Sequence, residues 1–217
     1  HEDHRLKHRY LDLRRPEMIG NLRLRSKVAT ATRVFMEEQG FLEIETPTLF
    51  KSTPEGAREF VVPSRLHPGE FYALPQSPQI MKQLFMVAGF DRYFQIARCF
   101  RDEDGRADRQ LEFTQIDLEL SFCDVEEILS VLEQVTVEGT QRAIGVELER
   151  PFRLITYKDA MDKYGVDRPD TRIQLELAEL TDVFAASEFR AFRGAVDSGG
   201  IVKCLPIPDG GALSRSE

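Results

Sequence analysis

Residues 93–120 read YFQIARCFRDEDGRADRQLEFTQIDLEL, and this stretch decides the fold of the chain. Two runs rich in aromatic and β-branched residues flank a charged loop that contains Gly105, which predicts a long antiparallel hairpin. Because side chains alternate between the two faces of a strand, each predicted strand has an apolar face and a polar face. The polar face carries Gln95, Cys99, Arg101, Phe113, Gln115, Asp117 and Glu119.

This polar face has two interpretations. It is either solvated, as one face of an antiparallel sheet often is, or it is the floor of a binding site. Gln, Asp and Glu are poor strand formers, yet the second strand places them at alternate positions, which favours a site. Arg101 can bind a phosphate or carboxylate through paired hydrogen bonds, and Phe113 can stack on a base. Gln115 and Asp117 can accept hydrogen bonds from an ammonium group, so these residues together predict a nucleotide and an amino acid as ligands.

Several segments of the chain resemble a known family. FRDED, RADRQ and EFTQID, within residues 100–117, resemble motif 2 of the class II aminoacyl-tRNA synthetases. RYLDLRR, TPEGAR and ALPQSPQ occur in the order in which the bacterial-type aspartyl-tRNA synthetases have them. Gly105 and Leu111 depart from the residues that are usual at those positions. The resemblance implies an α+β fold with a class II antiparallel sheet flanked by helices, of which this chain holds a part.

The resemblance also implies a reaction and a set of site residues. The intact protein would use ATP to activate L-aspartate as aspartyl-adenylate and would then transfer the aspartyl group to tRNA-Asp. Arg101 is implied as the catalytic residue, because it matches the arginine that binds the α-phosphate of ATP. The residues implied in aspartate binding are Glu55, Ser77, Gln79, Lys82, Arg101, Gln115 and Asp117. The residues implied in ATP binding are Arg101, Asp102, Glu103, Gln110 and Phe113.

Ser77 and Pro78 predict the start of a helix that runs to about Gly89, with Ser77 as its N-cap. Gln79 and Lys82 would share one face of this helix. A lysine in the first turns opposes the helix dipole, so Lys82 is either an exposed helix lysine or a residue kept for an anionic ligand. By resemblance, Lys82 pairs with the side-chain carboxylate of aspartate. The residues expected on the other side of the helix are Ile80, Leu84 and Val87.

A longer helix is predicted over residues 21–39, where apolar residues recur at helical spacing and Gly40 follows. The next segment, FLEIETP, predicts a short strand at the edge of a sheet, because Pro47 has no amide donor. By resemblance this helix and strand form motif 1, which in the family builds a homodimer interface. An ordinary amphipathic helix explains the periodicity equally well. The predicted apolar stripe is Leu24, Val28, Ala31 and Phe35.

Three further local signals are clear. Residues 51–59 contain Pro54 and Gly56 and predict a mobile loop, which by resemblance closes over the amino acid and brings Glu55 near its ammonium group. Asp124 predicts the start of an amphipathic helix that ends near Gly145. The predicted stripe of that helix is Ile128, Leu132 and Val135. A short helix with Thr156 as its N-cap and Gly165 after its end is also predicted.

The resemblance divides the chain into two parts. Residues 1–170 correspond to a class II catalytic core with motifs 1 and 2, and residues 171–217 to the beginning of the α+β insertion domain of the bacterial-type enzymes. No GxGxGxxR segment, the signature of motif 3, is present. We therefore expect the polypeptide to continue and this chain alone to be inactive. Ligands for Mg²⁺ are expected mostly in that missing segment, and no metal site is expected within this chain.

Composition limits the remaining choices. The formal net charge is −8, although residues 5–33 have a net charge of +7, which suits either contact with RNA or a solvated helix face. No apolar run approaches the ~20 residues of a membrane span, so we expect a cytoplasmic protein. Two alternatives to the ligase stay open. One is a paralogue that makes aspartyl-adenylate without using tRNA, and the other is a non-catalytic module that binds a nucleotide or RNA.

Overall fold

The computed structural model describes residues 2–106, 109–208 and 210–212. The chain forms two compact units, His1–Pro151 and Phe152–Glu217. The resemblance implies a different boundary, between residues 170 and 171, where the insertion domain of the family would begin. That boundary stays a prediction. No helix within the described residues is both long and apolar enough to cross a membrane.

The first unit contains two sheets and five helices among its described residues. The helices are α1 (Glu2–Lys7), α2 (Arg9–Asp12), α3 (Pro16–Glu38), α4 (Gln79–Val87) and α5 (Val125–Ile144). The strands are β1 (Leu42–Glu43), β2 (Val61–Pro63), β3 (Phe71–Ala73), β4 (Arg92–Phe100) and β5 (Glu112–Leu120). β2 and β3 pair as a small antiparallel sheet, and the main sheet has the order β1-β4-β5.

The predicted hairpin is confirmed as β4 and β5. The two strands pair antiparallel, and their register sets Gln95 opposite Asp117 and Cys99 opposite Phe113. The backbone N–H of Arg101 donates to the carbonyl of Leu111 at 2.9 Å and so extends the ladder by one residue beyond β4. β1 is an edge strand as predicted, and it runs parallel to β4, which makes the sheet mixed at that edge.

The hydrophobic core lies between the apolar face of the hairpin and the pair of helices α3 and α5. Its buried members are Phe35, Met36, Phe41, Phe94, Val131 and Val135, and Leu118 and Leu120 pack against them. In the predicted stripe of α3 only Ala31 and Phe35 are buried, whereas Leu24 is 41% and Val28 37% exposed. In α5 the buried side follows Val131 and Val135, and Leu132 is 42% exposed.

The C-terminal ends of the long helices follow the predicted local signals, whereas α3 begins at Pro16 and not at residue 21 as predicted. Gly40 and Gly145 adopt positive φ angles of 77° and 71°, a conformation that costs glycine little. The Asp124 carboxylate accepts a hydrogen bond from the Glu127 N–H at 2.8 Å and so caps α5. The prediction that Ser77 caps α4 is wrong, because Pro78 is the N-cap and the Ser77 hydroxyl donates to Glu55 Oε2 at 2.6 Å. A carboxylate is a strong acceptor for a hydroxyl, and this contact takes the Ser77 side chain towards the 51–59 segment.

The second unit is built from short elements. They are α6 (Tyr157–Tyr164), β6 (Ala178–Glu179), α7 (Thr181–Ala185), α8 (Arg190–Asp197), β7 (Lys203–Cys204) and a 3₁₀ turn (Gly210–Ala212). The Thr156 hydroxyl accepts from the Asp159 N–H at 3.0 Å, so the predicted cap of α6 is confirmed. β6 and β7 pair antiparallel. Phe192 joins α7 to α8, since its ring centroid lies 4.7 Å from that of Phe184.

Candidate active site

The site is built on the polar face of the hairpin, which α4 covers. α4 packs against both β4 and β5, and the residue that it buries is Lys82. The Lys82 Nζ lies 2.9 Å from Asp117 Oδ1 and 3.2 Å from Glu119 Oε2. The interpretation of Lys82 as an exposed helix lysine is therefore wrong, because its side chain is only 11% exposed and lies between two carboxylates of β5.

Asp117 has one oxygen that lacks a partner. Its side chain is 11% exposed, and Oδ1 accepts a hydrogen bond from Lys82. Within residues 2–106, 109–208 and 210–212, Oδ2 is the one buried side-chain nitrogen or oxygen that has no hydrogen-bond partner. Burying an ionised oxygen without a donor is costly, and such atoms are rare in folded proteins. The position of Oδ2 therefore suits a donor that a ligand brings.

Charge balance in the site affects both members of the Lys82–Asp117 pair. Burial raises the pKa of Asp117, the hydrogen bond and charge of Lys82 oppose this effect, and the negative charges of Glu119 and Glu55 add to it. Burial would lower the pKa of Lys82, but the hydrogen bonds and charges of Asp117 and Glu119 outweigh burial and raise it. Lys82 therefore keeps its charge, and the site has more anionic than cationic side chains. A ligand ammonium group beside Asp117 would correct that imbalance.

The floor beneath these charges is buried and hydrogen-bonded. The hydroxyls of Tyr93 and Thr46 donate to Gln95 Oε1 at 2.9 and 3.0 Å. The Cys99 thiol donates to Gln115 Oε1 at 3.2 Å, and burial raises the pKa of Cys99 to about 11. The interpretation of this face as solvated is wrong, since Gln95 is 9% and Cys99 0% exposed. The Gln115 carbonyl is engaged by the thiol, which leaves the Gln115 amide N–H groups for other partners.

Glu55 is brought to the site by the 51–59 segment. Its two carboxylate oxygens accept from the Ser77 hydroxyl at 2.6 Å and from the Thr53 hydroxyl at 3.1 Å. The segment itself is fixed by Gln76, whose amide donates to the Ala57 carbonyl at 2.9 Å and whose carbonyl accepts from the Ala57 N–H at 3.1 Å. Gln76 is 2% exposed. Sequence reasoning did not single out Gln76, although a polar residue between a strand and a helix start was a usable signal.

The nucleotide-binding residues that the resemblance implies lie at the loop end of the hairpin. The Arg101 guanidinium lies over the Phe113 ring, 5.0 Å from its centroid. The Asp102 N–H donates to the Arg58 carbonyl at 3.0 Å, which joins the hairpin loop to the 51–59 segment. Glu103 Oε2 lies 3.7 Å from Arg109 Nη1. Gln110 is exposed in the loop, and Gln79 is half-buried as the first residue of α4.

The geometry thus joins most of the implied residues into two neighbouring groups. Lys82, Asp117, Glu55 and Ser77 are linked by hydrogen bonds and charge at one end of the floor. Arg101 stacks on Phe113 at the other end, and Gln115 stands between them on the same face of β5. Such an arrangement can bind a zwitterion with a second anionic group at the first end and a phosphate with a base at the second.

The chain is similar to a family of proteins over most of its length. The profile of the tRNA synthetases class II (D, K and N) matches residues 1–192. An aspartate–tRNA(Asp/Asn) ligase of Cyanothece sp. is 60% identical over 98% of this chain and 36% of its own length. The ligase of Aquifex aeolicus, of the same name, is 57% identical over 100% of this chain and 36% of its own length. An aspartate–tRNA ligase of Shouchella clausii is 57% identical over 100% of this chain and 37% of its own length.

These relatives are much longer than the chain, which spans about a third of their length. Among solved structures, the asparaginyl-tRNA synthetase from Pyrococcus horikoshii complexed with asparaginyl-adenylate matches 65% of this chain and 32% of its own. The TM-score is 0.58 at 24% sequence identity, so this match concerns the fold alone.

Proposed function

Because the chain belongs to the tRNA synthetases class II (D, K and N), we propose that it forms the amino-acid-activating part of an aspartate–tRNA ligase. The observation that carries the proposal is a buried lysine beside a buried carboxylate oxygen that has no partner among the described residues. Aspartate matches both groups. Its ammonium group supplies the donor that Asp117 Oδ2 lacks, and its side-chain carboxylate supplies an anion for Lys82.

The other residues of the site have distinct proposed roles. Glu55, held by Ser77, lies where its charge acts on Asp117 and helps to bind the substrate ammonium. Gln79 and Gln115 bind the amino acid through their amides. Phe113 supports the adenine ring of ATP, as an aromatic face in a strand can do for any base. Three residues of the hairpin loop complete the contacts to ATP, namely Asp102, Glu103 and Gln110.

The proposed chemistry joins two bound substrates. The α-carboxylate of aspartate attacks the α-phosphorus of ATP in line, a new P–O bond forms, and the bond to pyrophosphate breaks with pyrophosphate leaving. Arg101 stabilises the charge that builds up on the α-phosphate, and no protein nucleophile takes part. The aspartyl group then passes to tRNA-Asp. The proposal includes Mg²⁺ as a cofactor, with its ligands expected mostly in the motif 3 segment. Among the described residues, no group of three or more His, Cys, Asp or Glu side chains could hold a metal ion.

The proposal includes a homodimer that forms through α3. Among the described residues of its first half, Leu22, Leu24 and Val28 are all exposed. α3 and the apolar face of the hairpin border a groove of about 410 Å³ that Val28 and Ile116 line. An exposed apolar helix face next to such a groove is suited to a second copy of the same surface.

The direct test uses the full-length protein, meaning the natural polypeptide that contains this chain. We expect aspartate-dependent exchange of pyrophosphate into ATP and aspartylation of tRNA-Asp. Exchange without aspartylation would indicate the paralogue that does not use tRNA. Absence of both activities in a folded protein would contradict the proposed function.

Lys82→Met tests the binding of the substrate side chain. Loss of a charge-assisted contact to a buried carboxylate costs roughly 2 to 5 kcal/mol, so KM for aspartate should rise about 30-fold to several thousandfold. KM for ATP should change far less. Gln83→Met is the matched control, because Gln83 is the exposed neighbour of Lys82 on α4. A change in aspartate KM below about threefold in the Lys82 variant would exclude Lys82 from the site.

A further inference from the structure

Glu119 provides a second carboxylate that contacts Lys82. The family resemblance does not assign Glu119 to the site. Its Oε2 lies 3.2 Å from Lys82 Nζ, and its side chain is 30% exposed. It lies two residues after Asp117 on the same face of β5, opposite Tyr93 in the register. Tyr93 is fully buried, so this end of the strand pair is held firmly in the floor.

The need for a second anchor follows from the chemistry of lysine. An ammonium group has three N–H donors at the end of a flexible four-carbon chain. Asp117 Oδ1 accepts one donor, and the ion pair with Glu119 Oε2 at 3.2 Å holds Nζ from a second side, which leaves a third donor for a ligand. In the proposed function Asp117 also faces the substrate ammonium through Oδ2. A single contact to Asp117 would leave the lysine head group able to rotate, whereas two contacts fix the direction of the third donor.

We propose that Glu119 is a positioning residue that aims the third N–H of Lys82 at the side-chain carboxylate of the amino acid. This inference rests on the proposed function. It differs from a purely electrostatic role, in which the negative charge of Glu119 would repel the substrate carboxylate and its removal would tighten aspartate binding. The two roles predict effects of opposite sign, so they can be separated by changing the reach and the charge of the side chain independently.

Two substitutions in the full-length protein make that separation. Glu119→Asp keeps the charge but shortens the side chain by one methylene, so the carboxylate no longer reaches Lys82. Glu119→Gln keeps the length and an acceptor oxygen but removes the charge. The matched control is Glu112→Asp at the other end of β5, where Glu112 pairs with Arg98 at 2.7 Å on the opposite face of the sheet.

The measurement is aspartate-dependent pyrophosphate exchange, with KM for aspartate, KM for ATP and kcat determined for each variant. We expect Glu119→Asp to raise KM for aspartate by about five- to tenfold, slightly more than an exposed ion pair is worth, because Lys82 is buried. KM for ATP and kcat should stay within about twofold of the wild type, because Glu119 touches neither ATP nor the reacting atoms. The KM for aspartate of Glu119→Gln should stay within about threefold of the wild-type value. Glu112→Asp should leave the KM for aspartate unchanged.

Three results would overturn the proposal. One is an unchanged aspartate KM in a Glu119→Asp variant that melts like the wild type. Another is a Glu119→Gln variant that binds aspartate more tightly than the wild type, which would assign a repulsive role to Glu119. The third is an equal rise in the KM values for aspartate and ATP, which a general distortion of the sheet would cause. Failure of the proposed function is a different observation, because the wild-type protein would then show no aspartate-dependent exchange at all.

Discussion

The position of the Lys82 side chain is fixed by residues that are distant from it in the sequence. Two β5 carboxylates bind its ammonium group, and their hydrogen bonds and charges outweigh the burial that would otherwise lower its pKa. Removing one partner of a buried pair costs more than the pair contributes, because the remaining charge stays buried. Lys82, Asp117 and Glu119 therefore form one unit, and a substitution at any of them acts on the other two.

Asp117 should make the protein less stable as pH rises, which is the reverse of a typical ion-paired carboxylate. Burial raises its folded-state pKa above the ordinary value of 3.8, so the folded state binds more protons than the unfolded state between these two values. Stability contributed by Asp117 is present below the ordinary pKa and is lost as pH rises through the raised one. We expect the unfolding free energy of the wild type, relative to Asp117→Asn, to fall as pH rises above 3.8 and through the raised pKa of Asp117.

Urea denaturation of both proteins across that range measures the difference. Lys82 does not contribute to the slope there, because its pKa is raised above 10.5 and it stays charged throughout. Glu112→Gln serves as the control, since the Glu112 side chain is 55% exposed. An unfolding free energy of the wild type that rises with pH relative to Asp117→Asn would show that Lys82 overcomes the effect of burial on Asp117.

Arg101→Lys should slow the activation step in the full-length protein. Lysine keeps the positive charge but loses the planar fork that holds a phosphate through paired hydrogen bonds and stacks on Phe113. A preorganised donor to a developing charge is typically worth about 100- to 1000-fold in rate, so single-turnover formation of the adenylate should slow by at least about 100-fold. Transfer to tRNA from preformed adenylate should change less. A folded variant with a wild-type activation rate would remove Arg101 from the site.

At the scale of secondary structure, local signals were sufficient for the hairpin and for the ends of α5 and α6, but not for the starts of α3 and α4. Polar and apolar residues alternate over two nine-residue strands, and this alternation decides which side chains face the core. Asp124, Thr156 and Gly145 cap helices through contacts within one turn of their own position, so a local pattern is enough to predict them. The stripe of α3 was partly wrong, because a helical period shows that one side is apolar and not which neighbour covers it.

The site was predicted less completely than the fold, for a similar reason. Motif matches pointed to Lys82 and Asp117, and the structure joins them. Gln76 and Glu119 were not singled out, because their importance comes from contacts with Ala57 and Lys82, which belong to other elements. The exposure of Leu84 and Val87, at 53% and 87%, was likewise unexpected for an apolar helix face.

Gln76 should determine how firmly the 51–59 segment is held. Gln76→Ala leaves the N–H and carbonyl of Ala57 without their partner, and an unpaired buried polar group costs about 1 to 3 kcal/mol. We expect faster hydrogen exchange in residues 53–59, unchanged exchange in β4 and β5, and a higher KM for aspartate because Glu55 lies in the loosened segment. Gln83→Ala on the exposed side of α4 is the control. Equal exchange in both variants would show that other contacts fix the segment.

At the scale of the whole molecule, the predicted family and the class II fold are confirmed. The basic stretch over residues 5–33 is partly neutralised within the chain. The carboxylate of Asp12, which is 2% exposed, binds Arg5, Arg9 and Arg15 together. Contact of this region with RNA stays a prediction.

The proposed dimer makes the sharpest prediction about the whole molecule. Val28 lies in the groove between α3 and the apolar face of the hairpin, where Ile116 is 47% exposed. In a two-fold dimer each copy would bury both surfaces, so a change at Val28 acts twice in the assembly. Val28→Asp would then bury two unpaired carboxylates, which costs several kcal/mol and should weaken the dimer by at least about 100-fold.

Sedimentation of the full-length protein at micromolar concentration separates the possible results. We expect a dimer for the wild type and a shift towards monomer for Val28→Asp, with little change in melting measured at a concentration where both are monomeric, because Val28 is exposed in the single chain. Thr30→Asp introduces the same charge at another exposed position of α3 that does not line the groove, and it should remain a dimer. A wild type that is monomeric at this concentration, or a Val28→Asp protein that sediments as the wild type does, would show that the exposed half of α3 faces something other than a second copy of this chain.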